Sequence, residues 1–170
     1  MKDQQGLGIR DWGFGVRGWG LVAGVAIVLV TACAPAPQTD KTPKAGSEMT
    51  RAVLDPYLKI QEALSDDKMD GVKANAGDVA TAAAALGAPA MKIDTAAVQL
   101  ANAVEIDDAR AKFGTLSEAI DTYMTGLKLT APDGIKVAVC PMVHKPWLTA
   151  SATIDNPYFG KSMSTCGSFR

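Results

Sequence analysis

One histidine and three cysteines are all the imidazole and thiol in this chain of 170 residues, and the scarcity excludes much chemistry. No Cys-x-x-Cys or Cys-x-x-Cys-His occurs, which removes thioredoxin-like redox chemistry and c-type haem attachment. His144 has no paired nucleophile and no acidic cluster from which to build a mechanism, so the chain does not read as an enzyme. Aromatic residues make up only 6% of the sequence. That paucity, with abundant alanine, favours closely packed helices over a sandwich of sheets. Neither charge sign dominates, with 17 basic against 18 acidic residues. Nothing therefore points to nucleic acid or an anionic lipid surface as a partner. Phosphate-cradling loops are missing too, because the glycine tracts GLG and GFGVRG near the start lack a strand-then-helix setting.

The N-terminal stretch reads as a leader. Residues 1–18 carry Lys2, Arg10 and Arg17 among polar and glycine residues, and Trp19 to Val30 is apolar. That run is short for a membrane span and right for a secretory signal. Val30-Thr31-Ala32-Cys33 follows, and it resembles the lipobox of bacterial lipoproteins. The resemblance implies a signal peptide over 1–32, cleavage before Cys33, and lipid on Cys33. The expected location is thus the bacterial envelope, with the protein exported, membrane-anchored through lipid and facing the periplasm. Ala34, where such lipoproteins carry Asp for inner-membrane retention, points to the outer membrane in a Gram-negative cell. The alternative is an N-terminal transmembrane anchor with an incidental Cys33. Residues 33–48, rich in proline, lysine and polar side chains, read as a flexible tether. This leaves 49–170 as one domain.

Apolar residues in that domain recur at helical steps. Met49, Val53, Leu54, Tyr57, Leu58, Ile60 and Leu64 form one stripe, with Pro56 inside it. Ser65-Asp66-Asp67 breaks the pattern and offers cap residues to the next helix. Met69, Val72, Ala76, Val79, Ala80, Ala83 and Leu86 form a second stripe, closed by Gly87-Ala88-Pro89. Ile93, Ala97, Leu100 and Val104 form a third. Asp107 starts the fourth, with Ala109, Phe113, Leu116, Ile120, Tyr123, Met124 and Leu127 inward. Short turns between four helices predict an all-α fold, an antiparallel four-helix bundle carrying a C-terminal short strand and an irregular segment. The helices hold no histidine, and their carboxylates mostly fall off the stripes. Met49, Met69, Met91 and Met124 are expected to fill gaps in the core. The bundle reads as scaffold.

Chemistry concentrates in Val139–Gly167, VCPMVHKPWLTASATIDNPYFGKSMSTCG. After the turn Pro132-Asp133-Gly134, alternation predicts a strand with Ile135, Val137 and Val139 on one side. Continued extension would place Cys140, Met142 and His144 on one face, and a helical turn would align Met163 with Cys166. Two thiols, two thioethers and an imidazole form a soft donor set suited to Cu(I), with Ag or Zn as alternatives. The two thiolates are expected at its centre, with Met142, Met163 and His144 competing for the remaining positions. If Cys33 carries lipid, Cys140 and Cys166 remain as a pair in an oxidising compartment, either a metal site or a disulfide that binds no cofactor. Such a disulfide contributes roughly 3 kcal/mol by the loop-entropy estimate. Asn156-Pro157-Tyr158-Phe159-Gly160 reads as a turn with two covering aromatics. Trp147 either shields a metal or plugs the end of the bundle, and a lone Trp favours the plug.

The order Cys140-Pro141-Met142, Trp147-Leu148, Asn156-Pro157-Tyr158, Gly160, Met163 and Cys166-Gly167 resembles a bacterial exported domain of unknown function. Its pattern is a helical region followed by CPM…WL…NPY-x-G-x-x-M-x-x-CG. That domain also stands at the C-terminal end of some copper/silver efflux membrane-fusion proteins. The CPM-x-H start is similar to the short heavy-metal motif of metal-exporting ATPases and efflux adaptors. The resemblance implies copper or other heavy-metal handling and resistance, with metal-efflux components as partners.

Overall fold

The computed structural model describes residues 49–170. The signal peptide over 1–32 and the whole tether over 33–48, Cys33 included, lie outside the described residues. Four helices come first: α1 (Arg51–Ser65), α2 (Val72–Ala85), α3 (Met91–Ala101) and α4 (Ile106–Leu127). Three strands follow, β1 (Lys136–Cys140), β2 (Lys145–Thr149) and β3 (Ser168–Phe169). None of the described helices is long and apolar enough to cross a membrane.

The helical stripes do what their spacing demands. Thr50 caps α1 by accepting the Ala52 N–H, and Val53, Leu54, Tyr57, Ile60 and Leu64 are wholly buried along one face. α1 runs through Pro56 without a break. The small buried residues of α2 (Ala76, Ala80, Ala83) and α3 (Ala96, Ala97) allow close approach, and these two helices form an extensive contact. α1 packs on α2, α2 on α3, and α3 on α4.

The expected all-α bundle is not what forms. The C-terminal region folds into a three-stranded antiparallel sheet of order β2-β1-β3, and β2 packs against both α4 and α1. The fold is mixed, dominated by helices. The physical reason is visible in β2, where Trp147, Leu148 and Thr149 are all fully buried and contribute a large part of the core. Four helices with so many alanine contacts leave a side open, and the aromatic-bearing hairpin fills it.

Pro146 could stop an interior strand, but β2 is an edge. Its outward groups are met by two buried tyrosines. The Leu148 N–H donates to the Tyr57 hydroxyl at 3.1 Å, and the Tyr158 hydroxyl donates to the Pro146 carbonyl at 2.5 Å. Tyr57 also shares a 2.7 Å hydrogen bond with Ser117 of α4. Tyr57, Phe113, Tyr158 and Trp147 then form a chain of ring contacts, with centroids 5.0, 6.0 and 5.9 Å apart.

Several smaller expectations are corrected. Asp66 and Asp67 do not cap α2; its N-cap is Gly71, without a side-chain bond. α3 ends at Ala101, so Val104 is exposed, as are Leu127 and Met91. The buried face of β1 carries Ala138 and Cys140 rather than Val137 and Val139. The period of two was legible, but both faces of β1 offered apolar residues, and the smaller ones fit against the core.

Candidate metal centre

Cys140 ends β1 with 0% exposure. β3 runs antiparallel beside β1, pairing Ala138 with Phe169 and Val139 with Ser168, which carries the Cys166-Gly167 segment alongside Cys140. β3 is short and is held by more than its ladder. The Arg170 N–H donates to the Val137 carbonyl at 2.9 Å, and the Lys136 ammonium lies 4.8 Å from the Phe169 ring centre. The Arg170 guanidinium grips Asp121 of α4 with two bonds, at 3.2 and 2.5 Å.

The two cysteines are free thiols, and their segments are brought together at the Asn156 amide, which reaches the Cys140 sulfur at 3.3 Å and the Cys166 carbonyl at 2.5 Å. Cys140 is buried and Cys166 half-buried. Burial, then the adjacent Cys140 charge and hydrogen bond, push the Cys166 thiol up. Cys140 and Cys166, 26 positions apart in sequence, thus come into one neighbourhood of the fold.

The rest of the set is arranged differently from the expectation. Residues 141–144 are not extended; they form the turn that joins β1 to β2, and Cys140 pairs with Lys145 across it. Cys140, Met142 and His144 consequently do not continue one strand face. Met142 is 60% exposed, and His144 is exposed with a left-handed φ of 54° that helps close the turn. Met163 ends a short 3-10 turn, Gly160–Met163, and is 39% exposed. The Cys166 N–H donates to the Met163 carbonyl at 3.0 Å, tying that turn to the thiol. No group of three or more His, Cys, Asp and Glu side chains comes together among the described residues.

The turn residues carry the scaffolding. Asn156 is fully buried; its Oδ1 accepts the Tyr158 N–H at 2.8 Å, and its carbonyl accepts the Gly160 N–H at 3.0 Å. The Asn156 amide donates to the Cys166 carbonyl at 2.5 Å and to the Cys140 sulfur at 3.3 Å. The Pro157 carbonyl accepts from Arg110, which also donates to the Leu64 carbonyl and to Asp67. Trp147 is plug rather than lid: it is fully buried and edge-on to Tyr158. A β-carbon on Gly167 would lie 2.6 Å from its ring, so glycine is required beside Cys166.

Sequence reasoning recognised the Asn156 turn but not its bond to Cys140, because a contact across 16 residues leaves no local signature. It also missed Arg110 and Asp67, two charged residues on otherwise ordinary surfaces. No protein-family model, curated protein or solved structure matches the chain. The resemblance to the exported domain thus rests on its motif residues.

Proposed function

We propose that the protein is an exported, lipid-anchored binder of a soft heavy-metal ion, Cu(I) first, held by Cys140 and Cys166 for resistance, buffering or delivery to efflux. The observation that carries this reading is the contact of the Cys140 and Cys166 segments through the Asn156 amide at the end of the sheet, with both thiols free. Thioethers at Met142 and Met163 stand close in sequence to each thiol and are exposed, a placement suited to capturing and releasing a soft ion. Thiolates and thioethers prefer Cu(I) and Ag(I). Zn is the alternative ion, since thiolates hold it as well. The metal is cargo in this reading, and no reaction is assigned.

The same contact favours one rival, a structural lipoprotein in which Cys140 and Cys166 close on each other as a disulfide. Two assays separate them, both with Cys33→Ser to leave only the pair. Protein purified without reductant should show two free thiols for the metal binder and none for the disulfide. Anaerobic titration of the reduced chain with Cu(I) against a chromophoric chelator should give one tightly held ion, lost in Cys140→Ser and in Cys166→Ser. Failure of the reduced chain to compete for Cu(I) would sink the metal reading.

A further inference from the structure

We propose that Asn156 is a positioning residue for the soft-metal site, an inference that rests on the metal reading above. One amide nitrogen, fully buried, contacts both halves of the pair: the sulfur of Cys140 at 3.3 Å and the carbonyl of Cys166 at 2.5 Å. Nδ2 has two hydrogens, so both bonds can form together. The amide cannot swing away, because Oδ1 is fixed by the Tyr158 N–H and the Asn156 backbone is bonded at both ends, to Ser164 and Gly160. Asn156 therefore sets the sulfur of β1 and the backbone of the Cys166 segment at one separation. An N–H aimed at sulfur also gains strength when that sulfur becomes a metal-bound thiolate, as charge-assisted hydrogen bonds do. Outer-sphere donors of this kind orient ligands and tune metal affinity.

Asn156→Asp is the discriminating variant. It keeps an oxygen for the Tyr158 N–H, and with it the turn, but has no hydrogen for sulfur or carbonyl. With the reduced full chain carrying Cys33→Ser, Asn156→Asp should bind Cu(I) about 10- to 100-fold more weakly than the parent. Loading the parent with Ag(I) should shift the Asn156 side-chain amide proton resonance downfield in a nitrogen-15 spectrum. Equal Cu(I) affinities, or an amide resonance unmoved by Ag(I), would overturn the positioning role while leaving the metal site standing. A parent that binds neither ion removes both. Should Asn156→Asp fail to fold, the Ag(I) shift in the parent decides alone.

Discussion

Gly160 lies directly over Asp67: a β-carbon on the glycine would sit 1.9 Å from the Asp67 carboxylate and 2.3 Å from the Arg110 guanidinium. The backbone there is left-handed, φ 54°. Two demands thus meet at one residue, because the ion pair must pass beneath the chain and the chain must turn where side chains are disfavoured. Asp67 also accepts the Lys161 N–H at 3.3 Å, so the pair holds the 156–163 turn against the end of α1.

Gly160→Ala should therefore destabilise the domain by about 2–4 kcal/mol, combining backbone strain with displacement of the ion pair. Urea unfolding followed by circular dichroism measures it, and a loss under about 0.5 kcal/mol would show that the turn is not held this way.

Tyr57→Phe removes the group that satisfies Leu148 of the sheet edge and Ser117 of α4 together. Leaving a buried N–H and a buried hydroxyl without their partner should cost about 1–3 kcal/mol, although the ring stacking on Phe113 survives. Ser117→Ala, which leaves the Leu148 bond in place, should cost less.

Burial pushes the hydroxyls of Tyr57 and Tyr158 well above the ordinary tyrosine range. A group with a raised folded pKa binds its proton more tightly in the native state. Its contribution is fully present below the unfolded value, about 10, and is lost as pH climbs from there toward the folded value. Stability should be level on the tyrosines' account through neutral pH. It should then fall with a slope of up to about 1.4 kcal/mol per pH unit for each tyrosine. Tyr57→Phe should make that alkaline decline shallower, which denaturant unfolding across pH 8 to 11.5 would show.

Met142 and Met163 are exposed, so leucine at either position should leave stability within about 0.5 kcal/mol. Each change should weaken Cu(I) retention if the thioether supplies a donor. His144→Ala, in the same exposed turn as Met142, tests the imidazole as a donor in the same way. Competition titrations of the three variants rank them.

The helices were legible because burial sets their stripes: Val53, Tyr57 and Ile60, or Phe113, Leu116 and Ile120, can serve one face of one helix only. Their ends were less so, since Val104 and Leu127 carry the pattern past the point where packing stops. The sheet was hidden for another reason. Cys140-Pro141-Met142-Val143-His144 alternates as a strand would, yet the chain reverses there, and His144 takes a conformation its residue type only tolerates. β2 carries a proline and β3 is too short to announce itself; both exist because distant partners, Tyr57, Tyr158 and Asp121, satisfy their edges and ends. At the site, the cysteine count singled out Cys140 and Cys166, and in the fold both are free thiols. The Asn156 amide that touches both segments left no sign in the sequence.

X-ray absorption at the copper edge, on the reduced chain with Cys33→Ser loaded with one equivalent of Cu(I), tests the central claim most directly. The first shell should consist of sulfur, two thiolates with room for a thioether, and be lost when Cys140 and Cys166 are both serine. A shell of nitrogen and oxygen, or one unchanged by removing both cysteines, would contradict it.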